Sequence, residues 1–187
     1  VYLHWSIDQE TLPFPMYRQF ARKLIDEGAD LILGTHAHCV QGGEKYNNKY
    51  IIYGLGNFFI PNNIYAGGNL SFPEFSKTEL AFEWDKEKNK ATCHWFKYND
   101  NNGHDLEHLK SEPFEDSAFL KYYTPYEGMS AKKYISFFKK NRRKKFLIPL
   151  YNDYRKTTKN RINTELLKGR AHFARLLAKT GIVKWQK

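Results

Sequence analysis

The sequence predicts an α/β fold that continues into a basic helical tail. Three observations carry this. Short apolar, β-favouring runs flank a segment of helical periodicity near the start. Two alternating runs joined by a polar turn follow. The charge balance then changes sign at about residue 120.

Val1–Leu3 is an apolar run ending at His4-Trp5. A polar loop follows, closed by Pro13 and Pro15. Met16, Phe20, Leu24 and Ile25 then fall at helical spacing, with Gly28 as a stop signal, and Leu31-Ile32-Leu33 is a second short strand. Strand–helix–strand is the unit of a parallel sheet with a crossover. Glu44 to Asn48 reads as a polar turn, with Asn47-Asn48 as the turn pair, leading into the strand Tyr50–Tyr53. Gly54 and Gly56 in the continuation to Ile60 predict a bend or a close backbone approach. A Pro/Gly/Asn-rich loop runs to about Ser76.

Thr78–Trp84 and Ala91–Tyr98 alternate as strands, with Asp85–Asn89 as their hairpin turn and Asn99–His104 as a polar loop. Helices are expected over Ala131–Lys145 and Ile162–Ala178, the latter stopped by Gly181. Residues 1–120 hold 11 Lys+Arg against 17 Asp+Glu, net −6, whereas residues 121–187 hold 19 against 3, net +16. The expected organisation is therefore a mildly acidic domain over 1–120 and a basic helical tail over 121–187. Aromatic residues make up 17% of the 187 and no apolar run approaches about 18–20 residues, which excludes a low-complexity disordered chain and a membrane channel. Cys39 and Cys93 form neither a disulfide framework nor a zinc-site spacing.

The strongest chemical signal is His36-Ala37-His38 just beyond the second strand. In extended backbone, residues two apart point the same way, so both imidazoles can reach one metal or a pair of metals. His4 ends the preceding strand, and sites in open parallel sheets form outside the carboxyl ends of strands. All three histidines are thus expected on one edge. Alternatives stand beside this: His4 as a strand-end histidine bonded to backbone, and Asn57 either tying loops near the site or simply serving a bend. Gln41 and Glu44 read as loop residues near the mouth, Trp5 as core, and Cys39 as a small buried apolar residue. His94 reads as structural, His104 and His108 as solvated, and His172 as part of the basic helix.

His4-Trp5, Ile25-Asp26-Glu27-Gly28-Ala29-Asp30, Gly34-Thr35-His36-Ala37-His38-Cys39-Val40-Gln41 and Tyr50–Phe58 together resemble the CapA family of poly-γ-glutamate and capsule synthesis proteins, within the calcineurin-like metallophosphoesterase superfamily. The resemblance is tight over about 60 residues, loose to about residue 98, and slight beyond. It implies part of a metallophosphoesterase-like α/β sandwich, its C-terminal portion, with further donors expected on strands upstream of Val1. It implies His4 and His36 on one ion and His38 on a second, the cofactors being two divalent ions (Mn, Zn or Fe). Asp8 stands where the family usually has Glu, Ser6 where it has Gly, and Ala37 where Pro is common. Asp8 is the candidate acid/base or orienting residue, and Asn57 the candidate substrate contact.

The function so implied is a metal-dependent hydrolase or transferase of capsule or poly-γ-glutamate biosynthesis. The alternative is a non-catalytic accessory module that binds an anionic polymer or a membrane surface. Expected partners are an anionic polymer or capsule precursor, and an anionic membrane surface through Lys139–Lys145, a run flanked by Phe137, Phe138, Phe146 and Leu147; the competing reading of the run is a solvated helix that packs its apolar stripe on the domain. No motif for reading nucleic-acid bases is present.

Overall fold

The computed structural model describes residues 1–63, 67, 70–99, 105–145 and 149–180. His104, Phe146, Leu147 and Gly181 lie outside them.

The first sheet is built from β1 (Tyr2–His4), β2 (Leu31–Thr35), β3 (Val40–Tyr46) and β4 (Lys49–Leu55), in the order β1-β2-β4-β3. β1–β2 and β2–β4 pair parallel, as the strand–helix–strand reading requires, with α1 (Pro15–Asp26) as the crossover. β3 and β4 form an antiparallel hairpin. Its turn is Asn47-Asn48, both left-handed (φ +48° and +60°), the backbone that two-residue hairpin turns demand and that asparagine tolerates.

β5 (Thr78–Asp85), β6 (Lys90–Asn99) and β7 (Asp105–Pro113) make a second, antiparallel sheet. α2 (Ala118–Tyr123), α3 (Ala131–Asn141) and α4 (Thr157–Lys179) follow. The fold class is α/β, with two sheets and helices.

β4 shows why the first sheet is sandwiched. Tyr50, Ile51, Ile52 and Tyr53 are all fully buried, so this strand is apolar on both faces. Ile51 and Tyr53 pack with Trp5, Phe14 and Ile25 on the helical side. Tyr50 and Ile52 pack with Leu80, Trp95 and Phe114 from the second sheet. Full burial of side chains this large contributes about 1.5–3 kcal/mol each.

Part of the basic C-terminal segment is built into the same core. Tyr126, Tyr134, Phe138 and Tyr151 belong to the helical-side cluster. Tyr126 donates its hydroxyl to the Gln41 carbonyl at 2.6 Å, and Tyr134 donates to Pro13. α3 ends at Asn141, short of the expected Lys145. Just beyond it the Arg143 and Lys144 amides donate to the buried Glu10 carboxylate, each at 3.1 Å. The Lys139–Lys145 run is thus partly pinned to the domain rather than presented as one free helical face.

Two strands escaped the sequence reading. Gln41 and Glu44, expected as loop residues at the mouth, lie in β3 and are 0% and 4% exposed. Arg18 and Arg22 of α1 both pair with Glu44, and Tyr53 donates its hydroxyl to it at 2.6 Å, so charge neutralisation keeps this carboxylate inside. β7 is largely exposed and charged, and carries no apolar alternation to mark it.

Gly34 has one specific reason to be glycine. The Trp5 indole crosses it to donate to the Tyr53 carbonyl at 2.9 Å. A Cβ on Gly34 would lie 2.3 Å from that indole nitrogen and 2.2 Å from the carbonyl oxygen. This crossing fixes Trp5, and with it the end of β1 where His4 sits.

Candidate metal centre

β1 and β2 run parallel with His4 opposite Thr35, so both strands deliver their carboxyl ends to one edge. There the chain bends sharply. His36 and His38 both take positive φ, +88° and +54°, conformations that cost a non-glycine residue about 1–3 kcal/mol. Strand alternation is therefore not what joins the two imidazoles. Two left-handed residues around the buried Ala37 do so, leaving the ring centroids 6.1 Å apart. The His4 ring lies 4.5 Å from that of His36, and its Nδ1 is 3.5 Å from the Thr35 hydroxyl.

Asp8 reaches the site from the loop after β1. Ser6 and Gln9 shape that loop, again with positive φ (+86° and +59°). Position 6 is where the resembled family usually has glycine, and the backbone angle supplies the reason. Gln41 anchors the loop from beneath by donating Nε2 to the Ser6 hydroxyl (2.9 Å) and the Glu10 carbonyl (2.7 Å). Asp8 Oδ1 then stands 3.3 Å from His36 Nε2.

One donor atom each from Asp8, His36 and His38 lie within 4.8 Å of one another, the one such group among the described residues. His4 joins it through its ring contact with His36. His4, His36 and His38 border a cleft of about 400 Å³ whose walls include Tyr2, Leu55, Phe58 and Leu80.

The chemistry of this donor set fits a divalent ion. Burial, reinforced by His4 and His38 and opposed by Asp8, holds the His36 pKa below the usual histidine range. The neutral imidazole, the form with a free lone pair, is thereby favoured. Two imidazoles and a carboxylate suit zinc, iron or manganese and leave positions open for water or substrate.

Asn57 does tie loops together here. Its Oδ1 is 2.6 Å from His38 Nδ1, so the side-chain oxygen is engaged by the histidine. Beneath this loop lies Glu79, 1% exposed, which accepts hydrogen bonds from the Asn57 and Phe58 amides. Alternation in β5 puts Glu79 on the face shared with Glu83 and opposite Leu80, so no sequence signal marked it. Gln41, expected near the mouth, supports the site from beneath, and no sequence signal marks Thr35, whose contact with His4 comes from a residue distant in sequence.

Burial pushes the Cys39 thiol up to about 12, which makes it an unreactive proton carrier rather than a nucleophile. His94 lies between Glu83 and Ser111 on the second sheet, and His108 also contacts Ser111.

Residues 1–62 match the family "Bacterial capsule synthesis protein PGA_cap", a family of the metallophosphoesterase-like superfamily. The same region is 44% identical over 55 residues to the PGA biosynthesis protein CapA of Bacillus subtilis, covering 29% of this chain and 14% of that protein. It is 38% identical over 55 residues to the capsule biosynthesis protein CapA of Bacillus anthracis, covering 29% and 13%. An uncharacterized protein of Sinorhizobium fredii, y4sH, is 47% identical over 56 residues, 30% of this chain and 11% of that one. Each alignment thus spans about a seventh or less of the relative's length, and the family match over residues 1–62 contains His4, Asp8, His36, His38 and Asn57.

Proposed function

We propose that this protein acts in capsule or poly-γ-glutamate biosynthesis as a metal-dependent hydrolase or transferase, with Asp8, His36 and His38 as ligands and His4 completing the cluster. The observation that supports this most is the convergence of these donors at adjacent parallel strand ends, inside the segment similar to the CapA proteins. A bound divalent ion would supply Lewis acidity and a water of lowered pKa. The chain's own groups hold His38 through Asn57, set Asp8 against His36, and exclude water along the apolar wall. The expected two-ion centre requires donors beyond this cluster. The test is titration of the purified protein with Mn²⁺, Zn²⁺ and Fe²⁺, followed by assays on phosphoesters and γ-glutamyl amides. Saturable binding with metal-dependent turnover is expected; no binding to any of the three ions overturns the reading.

A second reading, that of an accessory surface, is favoured by α4. Ile162, Leu166, Phe173 and Leu176 form one apolar stripe, each about half exposed, on a helix with six Lys/Arg and one Glu. An anionic polymer would satisfy the charges but not the stripe, and a second copy would oppose like charge. An anionic lipid surface satisfies both. No described helix is long and apolar enough to cross a membrane, so the contact would be interfacial. Phosphatidylglycerol vesicles should bind the protein more tightly than phosphatidylcholine vesicles. Leu166→Glu with Phe173→Glu should weaken that binding at least about tenfold. Equal binding to both lipids, or an unaffected double variant, removes this reading.

A further inference from the structure

We infer that Glu79 is a positioning residue for His38, acting through the backbone of the Gly56–Phe58 loop and the side chain of Asn57. This rests on the reading of His38 as a metal ligand, but its geometry stands without a metal.

His38 has two ring nitrogens, and the partner of one decides which of them carries the proton. Asn57 Oδ1, 2.6 Å from Nδ1, can only accept, so Nδ1 carries the proton and Nε2 keeps the free lone pair. The position of Asn57 therefore sets what His38 can bind.

Asn57 is held by its main chain. The Asn57 and Phe58 amides both donate to Glu79 Oε2, the latter at 2.8 Å. The loop needs that support because Gly56 and Phe58 both have positive φ, +94° and +58°. Gly56 also lets the carboxyl approach: a Cβ there would lie 2.0 Å from Glu79 Oε2. Glu79 comes from β5 of the second sheet, so through this side chain and loop the second sheet bears on His38.

Among the described residues, the Asn57 and Phe58 amides are the hydrogen-bond partners of this carboxyl. It is almost fully buried, and among the described residues no cation pairs with it. Burial pushes its pKa up to about 8 even though the two amides favour the charged form. A side chain kept inside at that cost, with its hydrogen bonds directed to one loop, serves that loop.

The test uses the full chain, with Glu79→Ala, Glu79→Gln, Asn57→Ala and the double variant Glu79→Ala/Asn57→Ala. The ¹⁵N resonances of the His38 ring in metal-free protein report the tautomer. Wild type and Glu79→Gln, which keeps an acceptor oxygen at the loop, should show the Nδ1-protonated form; Glu79→Ala and Asn57→Ala should both lose it. Mn²⁺ or Zn²⁺ affinity should fall about 10–100-fold in each single variant, and no further in the double variant, because both act through one contact. A merely structural role would leave the tautomer unchanged and make the two losses add, and either result overturns the inference. Should Glu79→Ala fail to fold, Glu79→Asp carries the test, since its shorter side chain cannot reach both amides and should shift His38 as Asn57→Ala does. If the wild type binds neither ion, the metal-centre reading fails while the tautomer still decides the role of Glu79.

Discussion

Replacing His36 and His38 together with alanine is expected to abolish divalent-metal binding, measured by elemental analysis and calorimetric titration. Two of the three donors that lie within 4.8 Å of one another disappear, and the remaining Asp8, 58% exposed, is a weakly held carboxylate with only His4 left of the cluster. The loss should exceed the roughly 10–100-fold that follows removal of an outer hydrogen-bonding partner. The secondary structure should be unaffected, because both histidines lie beyond the end of β2 and neither fills either hydrophobic cluster. Undiminished metal content in the folded double variant would show that ions bind elsewhere.

Glu44→Ala is expected to lower stability by about 3–5 kcal/mol in urea unfolding, a fall in Tm of about 6–20 °C for a chain of this size. Removing the carboxylate strands Arg18, whose side chain is 3% exposed and whose guanidinium lies over the Tyr134 ring at 4.9 Å. It also takes the acceptor from Tyr53. The pH dependence has a definite sign. Burial works against ionisation of Glu44, but hydrogen bonds from Arg22 and Arg18 prevail and hold its pKa down at about 2, against 4.5 for an ordinary glutamate. The stability from its ionisation is therefore fully present above about pH 4.5 and lost as pH falls toward 2. Acid unfolding of the wild type should show this loss, and Glu44→Ala should flatten it. Glu79, raised to about 8 by burial, works in the other direction, and its contribution declines as pH rises from about 4.5 through 8. A small destabilisation in Glu44→Ala, with the acid slope unchanged, would mean that Arg18 and Arg22 find other partners.

The parallel unit, α1 and the β5–β6 hairpin were legible because apolar period and turn or stop residues agree there, as in Gly28 after α1 and Asp85–Asn89 between β5 and β6. β3 was hidden by Gln41, two glycines and Glu44, whose burial depends on Arg18, Arg22 and Tyr126 from elsewhere in the chain. β7 was hidden because a strand paired on a single side, with polar side chains outward, has the composition of a loop. The meeting of His36 with His38 was expected for a reason the backbone does not bear out: they converge through positive φ, not through strand alternation. Asp8 was singled out by resemblance to a family, whereas Glu79 required the second sheet to be in place before its role could be seen.

The backbone angles at residues 36 and 38 imply an opposition between folding and chemistry. Glycine adopts φ of +88° or +54° without a Cβ penalty, so selection for a stable scaffold alone would favour glycine at both positions. Imidazoles there make the protein less stable than it could be. His36→Gly should then outlast His36→Ala on heating while being equally unable to hold an ion, which places the cost of the cluster in the fold itself.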